Sequence, residues 1–226
     1  MKGSNIVIIG GNSGIGKKVE EILINEGAKV FSYSRSNSGS NHLDILEDFE
    51  EIPKLPDVVH GLVYCPGTIN LKPFKRIKIS EFRQDLEINY LGAIKTLQYL
   101  ESFLKKAKNA SIVLYSTVAV QTGLGFHSSV AGAKGAIEGL TRSLAAEWAN
   151  SGIRVNAIAP SLTDTALANS LLSTDEKKIA AANRHPLGRF GTVDDIASST
   201  VFLLSDKSSW ITGQILKVDG GMSVIK

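Results

Sequence analysis

An apolar run, Asn5-Ile6-Val7-Ile8-Ile9, passes without interruption into Gly10-Gly11-Asn12-Ser13-Gly14-Ile15-Gly16. Beyond it Val19, Ile22 and Leu23 recur at helical spacing, Gly27 closes that helix, and a second β-rich run follows, Lys29-Val30-Phe31-Ser32-Tyr33-Ser34. Strand, glycine loop, helix and strand read as one βαβ unit. Glycines without Cβ let the turn fold tightly and let a pyrophosphate approach backbone N–H groups at the positive end of the helix. A glycine cluster alone also makes plain tight turns, but between a strand and a helix it reads as a dinucleotide cradle. Gly10, Asn12, Ser13, Gly14, Ile15 and Gly16 are therefore the first candidate cofactor-binding residues.

In such a unit a carboxylate roughly 20 residues past the last glycine grips the ribose 2′-hydroxyl, whereas an arginine suits a 2′-phosphate. Ser34 and Arg35 occupy that place. A guanidinium forms charge-assisted bonds to phosphate, so Arg35 favours NADP(H) over NAD(H); the competing reading is a solvated arginine at a strand end.

The remaining pattern repeats strand, helix, strand. Further strands are expected at about 42–44, 58–64, 111–116, 154–159 and 214–218, with long helical stretches between them. This alternation predicts an α/β fold, a doubly wound parallel sheet with helices on both faces, in a single Rossmann-type domain spanning 1–226. Its ligands belong at the carboxyl ends of the strands. The only break in pattern is the polar loop 36–41. Segment 165–186 reads as helical but comparatively polar, and is expected to be a lid over a substrate site rather than a surface excursion.

A chain of 226 residues, 43% hydrophobic and 21% charged, can bury a sizeable core. Its net charge of +3 is small and its lysines are scattered, which argues against nucleic acid; Lys105-Lys106-Ala107-Lys108 reads as cations opposing a helix dipole. A single cysteine, Cys65, excludes an intramolecular disulfide and a cysteine-rich zinc site, and no metal site is expected. No leader is read before the first strand, and no apolar run reaches the ~20 residues needed to span a bilayer, so a cytoplasmic protein without membrane contact is expected.

Five ordered stretches resemble the short-chain dehydrogenase/reductase family nearly end to end. Gly10 to Gly16 fits its GxxxGxG loop. Asp44, in Leu43-Asp44-Ile45, falls where the family presents an aspartate to adenine. Asn89, in Ile88-Asn89-Tyr90-Leu91-Gly92, falls on its helix asparagine. Ala133-Lys134-Gly135-Ala136-Ile137 through Arg154-Val155-Asn156-Ala157-Ile158-Ala159-Pro160 is similar to its active-site helix and following strand. Ile211-Thr212-Gly213-Gln214 through Val218-Asp219-Gly220-Gly221 is similar to its closing strand. The resemblance implies cofactor contacts at Gly67, Lys134, Pro160, Thr163 and Thr165. It also implies a small-molecule substrate and a homodimer or homotetramer paired through the helix of Lys134 to Trp148 and a preceding one. Periodicity alone does not distinguish such an interface from burial within one chain.

Four departures stand out. Tyr64-Cys65-Pro66-Gly67 replaces the family's Asn-Asn-Ala-Gly, Ser161 replaces a glycine, and Thr117, thirteen residues before Val130, replaces the substrate-orienting serine while keeping a hydroxyl. The fourth departure is the severe one: the family's YxxxK motif reads Val130-Ala131-Gly132-Ala133-Lys134. In the family the tyrosine protonates the carbonyl oxygen while the lysine lowers its pKa and binds the nicotinamide ribose. Valine has no proton to give.

His127 lies seven positions before Lys134 and returns to nearly the same helix face, the Tyr-x6-Lys spacing of enoyl thioester reductases with histidine for tyrosine. It is a candidate donor or substrate-orienting group; the alternative is that it begins the helix, with Ser128 or Ser129 as the cap. Candidate catalytic residues are thus Asn89, Thr117, His127 and Lys134. The readings left open are a carbonyl/hydroxyl oxidoreductase, an activated C=C reductase, and a dinucleotide-binding or interaction protein without redox chemistry. His60, His185 and Asn156 are expected to be structural.

Overall fold

The computed structural model describes residues 1–37, 39–49 and 51–225. Part of the polar loop 36–41, at Ser38, lies outside the described residues. Six strands form one sheet: β1 (Asn5–Ile9), β2 (Lys29–Tyr33), β3 (Gly61–Tyr64), β4 (Ser111–Tyr115), β5 (Arg154–Pro160) and β6 (Ile215–Val218). Their order is β2-β1-β3-β4-β5-β6, and every pair is parallel. The connecting helices are α1 (Gly14–Asn25), α2 (Ile79–Leu86), α3 (Gly92–Lys106), α4 (Ala119–Thr122), α5 (Ser128–Trp148), α6 (Asp175–Asn183) and α7 (Val193–Leu204).

Alternation along the strands divides the core in two. Val7, Ile9, Leu62, Ile112, Leu114 and Val155 face α3 and α5, meeting Leu97, Leu100, Ile137 and Trp148. Ile6, Ile8, Val63, Val113 and Ile158 face α1 and α7, meeting Val19, Leu23, Ile196 and Val201. The doubly wound sheet expected from the sequence is therefore present.

Two strand expectations are corrected. Segment 42–44 contributes only one isolated parallel bridge, His42 to Ser34. A 3-10 turn at Gly39–Asn41 precedes it, and the Asp44 carboxylate accepts the Leu46 N–H at 3.0 Å, bending the chain away from the sheet at once. Likewise β3 begins at Gly61 rather than at 58, because Val59 N–H donates to the Phe103 carbonyl of α3 instead of to a neighbouring strand. Segment 165–186 folds as a 3-10 helix, Ala166–Leu171, followed by α6.

The chain leaves β1 toward β2 on one side and then crosses to β3 on the other. The carboxyl ends of β1 and β3 thus part at a switch point, where a crevice is expected in any open parallel sheet.

Candidate active site

A cavity of about 1040 Å³ opens at that switch point. Gly10, Asn12, Ser13, Gly14, Ile15 and Gly16 form one end, Arg35 and Asp44 its rim, and Gly67, Thr117, His127, Val130, Lys134, Pro160, Thr163 and Thr165 the rest. Every candidate catalytic or cofactor-binding residue borders it except Asn89, which is fully buried with 0% of its surface exposed.

The glycine loop has the geometry of a cradle. Gly10 and Gly14 adopt φ of +83° and +51°, and a Cβ on Gly16 would stand 2.4 Å from the Gly10 carbonyl oxygen, so α1 packs backbone to backbone against its own loop. No side chain caps the first turn of α1 and no acidic residue lies in it, which leaves its N–H groups and dipole facing the cavity. Arg35 is exposed at the rim. Nearby, Asn12 Nδ2 donates to Ser36 Oγ.

The deeper end holds a polar cluster that the motifs do not announce. Asp85, on α2, is 2% exposed; its Oδ1 accepts from Thr68 Oγ1 at 2.7 Å and its Oδ2 accepts from Ser129 Oγ on α5. Asn89 Nδ2 donates to Thr68 Oγ1 at 2.9 Å and to the Asp85 carbonyl at 2.8 Å, while Asn89 Oδ1 is buried without a partner. A Cβ built on Gly67 would lie 3.3 Å from that oxygen and 3.5 Å from Lys134 Nζ, so both atoms look onto the space above Gly67. Lys134 itself is 7% exposed. Burial pulls its ammonium down to about 8, opposed by Cys65 and by the negative field of Asp85. The orphaned acceptor, the buried cation and the Cβ-free floor fit a ribose with its hydroxyl donors and acceptors.

One signal for Asp85 was available: it stands four residues before Asn89 and so shares its helix face. For Ser129 the sequence reading is corrected. Neither Ser128 nor Ser129 caps α5; His127 is the N-cap residue, without a side-chain cap bond, and Ser129 turns inward to Asp85. His127 borders the cavity; its Nδ1 bonds to the Gly125 carbonyl at 2.7 Å, and its Nε2 has no hydrogen-bond partner among the described residues.

The altered β3 end is rebuilt coherently. Tyr64 points away from the cavity, donating to the Ile88 carbonyl at 2.7 Å, and Cys65 takes its place on the cavity wall. Thr117 Oγ1 accepts the Ala119 N–H at 3.3 Å at the start of α4 and borders the cavity. Ser161 needs no positive φ and uses its hydroxyl instead, bonding His185 Nε2 at 2.8 Å. The other two residues read as structural behave so: Asn5 N–H donates to His60 Nδ1 at 3.0 Å, and Asn156 ties β5 to Ile211 and Gln214.

A family model described as enoyl-(acyl carrier protein) reductase matches residues 40–223. The chain belongs to the short-chain dehydrogenase/reductase family. Among its short-chain dehydrogenase/reductase relatives is a tropinone reductase homolog of Arabidopsis thaliana, 34% identical over 99% of this chain and 94% of its own. A short-chain type dehydrogenase/reductase from Mycobacterium ulcerans superimposes with a TM-score of 0.91 at 27% identity, covering 100% of this chain and 92% of that one. A Tyr→Phe variant of ElxO, solved with NADPH bound, gives a TM-score of 0.82 at 25% identity over 98% of this chain and 99% of that one. Membership carries a coarse assignment with it: an oxidoreductase of the kind that works with NAD(P)(H). Among the described residues no group of His, Cys, Asp and Glu could hold a metal ion, and no helix is long and apolar enough to cross a membrane.

Proposed function

We propose that this short-chain dehydrogenase/reductase is an NADP(H)-dependent oxidoreductase acting on a carbonyl or hydroxyl of a small substrate. The observation that carries the reading is the pair of unpartnered polar atoms, Asn89 Oδ1 and Lys134 Nζ, on either side of the Cβ-free space above Gly67, at the far end of a cavity that begins in the glycine cradle. The nicotinamide dinucleotide, when bound, supplies or accepts the hydride. The chain's own groups do the rest: Gly10 to Gly16 hold the pyrophosphate, Arg35 a 2′-phosphate, Asp44 the adenine, and Lys134, with Pro160, Thr163 and Thr165, the nicotinamide end. Asn89 steadies a water beside Lys134. Thr117 and the free Nε2 of His127 orient a substrate oxygen.

The NADPH in the Tyr→Phe variant of ElxO supports the view that a dinucleotide site of this fold tolerates loss of a tyrosine hydroxyl. Segment 165–186 is a lid on this reading, since Ala166, Leu167, Leu171 and Arg184 border the cavity. The exposed small face of α5, at Gly132, Gly139, Ser143 and Ala146, supports pairing into a homodimer or homotetramer.

A second reading, reduction of an activated C=C bond, is favoured by the enoyl reductase description of the matching family model and by Val130, since protonation at carbon can come from solvent. A calorimetric titration with NADPH and NADH, followed by a panel of ketones and enoyl thioesters, separates the readings. Saturable NADPH binding with ketone turnover supports the first, and enoyl turnover alone the second. A folded protein that binds neither cofactor overturns both.

A further inference from the structure

The family's division of labour gives the proton to tyrosine and charge to lysine. Here Val130 holds the tyrosine position, 6% exposed and with nothing to donate, so Lys134 has lost its ordinary neighbour. Its Nζ takes no protein hydrogen bond and no ion pair among the described residues, yet it borders the cavity. An ammonium held in that state is a proton source without a fixed acceptor.

The groups facing it can be named from each packed element. From the end of β3 comes Cys65, whose thiol burial pushes up to about 12, so it remains neutral around pH 8. From α2 comes Asp85. From β4 comes Tyr115, buried, with its hydroxyl on Thr200 Oγ1 at 2.7 Å and its own titration pushed well upward by burial. At the head of α5 is His127, bonded to Gly125. Glu138, one turn further along α5, is turned to Ser116, Gln121 and Arg142. Glu138 is thus paired with Arg142, whereas Asp85 is the carboxylate facing Lys134 that has no ion pair among the described residues, held in place by hydroxyl donors on both its oxygens.

We propose that Lys134 takes over the proton-donating role that Val130 cannot fill, and that Asp85, a positioning residue, sets the charge state of Lys134 from a fixed site on α2. The inference rests on the carbonyl-reductase reading above. In reduction, hydride arrives at the carbonyl carbon, the C=O π pair moves onto oxygen, and a Lys134 N–H bond breaks as the O–H bond forms. The lysine is left as a neutral amine, which regains its proton from water at the cavity mouth. A buried lysine tuned toward neutrality is suited to this, whereas an exposed one near 10.4 would give up its proton too reluctantly. Asp85 keeps the protonated form populated at neutral pH; without it, burial would carry the ammonium lower still.

The test is an NMR titration of the cofactor-free protein labelled with 13Cε-lysine, with the Lys134 signal assigned by its loss in Lys134→Arg. One lysine is expected to titrate at about 8, well below the ordinary range for the side chain. Asp85→Asn should move that midpoint down by roughly one unit. If Asp85→Asn does not fold, Asp85→Ser should give the same shift. For a ketone found in the panel, kcat/KM should fall tenfold per pH unit above the same midpoint, and this limb should move with Asp85→Asn by the same amount. Titration of Lys134 with the bulk lysines, or a midpoint indifferent to Asp85, overturns the proposal. So does a limb that moves with His127→Ala rather than with Asp85. A protein that binds NADPH and shows the shifted lysine but reduces no carbonyl overturns the donor role and the carbonyl-reductase reading together, while leaving the Asp85–Lys134 coupling standing as a separate result.

Discussion

Tyr64 donates its phenolic hydrogen to the Ile88 carbonyl, inside a single π turn, Glu87–Leu91, and it can do so only because residue 92 is glycine: a Cβ there would lie 2.4 Å from the phenol oxygen and 2.8 Å from Ile45 Cδ1. A π turn leaves a carbonyl out of the ordinary helical ladder, and Tyr64 supplies the missing donor. Gly92→Ala should therefore destabilise by about 1–3 kcal/mol through overpacking, against the helix-propensity gain of up to ~1 kcal/mol that alanine usually brings. Tyr64→Phe, which strands the carbonyl, should cost about 1–3 kcal/mol. Urea unfolding with unchanged m-value is the check.

At Gly16 the steric conflict is with backbone, not with a side chain that can swing away. Gly16→Ala should lower NADPH affinity at least tenfold and lower Tm, as read by calorimetry and a thermal melt in the absence of cofactor. Wild-type affinity in this variant would mean that the loop is not the pyrophosphate cradle.

Arg35 stands exposed at the rim with freedom to meet a phosphate. A hydrogen bond to a charged group is worth about 1.5–3 kcal/mol, so Arg35→Glu should weaken NADPH by roughly 10- to 150-fold, the added repulsion pushing toward the upper end. NADH affinity should change only severalfold. Equal losses for both cofactors would assign Arg35 to some other task.

Val130 borders the cavity one turn before Lys134. Val130→Tyr restores a phenol at the family's position, and a positioned acid contributes about 10²–10⁴-fold. A rise of at least tenfold in ketone reduction is expected, with NADPH affinity little changed. If turnover stays flat, the rebuilt Tyr64-Cys65-Pro66 wall has changed what the pocket accepts.

Cys65 should be a sluggish thiol. With its titration pushed up to about 12 by burial, the thiolate is about one part in ten thousand at pH 8, against about a quarter for a free cysteine. Alkylation by iodoacetamide at pH 8 should be at least a hundredfold slower than for free cysteine, and should stay slow until the protein unfolds. Rapid labelling of folded protein would show the thiol to be far less shielded than its surroundings imply.

Much of this molecule could be read before its coordinates. The run from Asn5 to Gly16 specifies strand, loop and helix because glycine positions and apolar spacing are local signals, and Lys134 and Val130 stand out through the resemblance to the family's YxxxK motif. What escaped depends on partners distant in the chain. Segment 42–44 falls where the alternation of strand and helix calls for a strand, but the Asp44 carboxylate captures a backbone N–H two residues on and turns it away. Asp85 and Ser129, 44 residues apart, look like solvated polar positions until α2 is laid against α5. The π turn at Asn89 has no composition of its own; it follows from Tyr64 and Gly92 meeting across the fold.

All six strands run the same way, so the sheet has two unlike rims. At the rim opposite the cavity, Asn5 holds the Val58 carbonyl at 2.8 Å, while Arg154 donates to Leu203 and Ser208, each at 2.9 Å, pinning the end of α7. One rim anchors and the other is open to revision. A lineage could exchange a tyrosine for a valine at the open rim, try a new proton donor and later change back, with the anchoring rim keeping the molecule folded throughout.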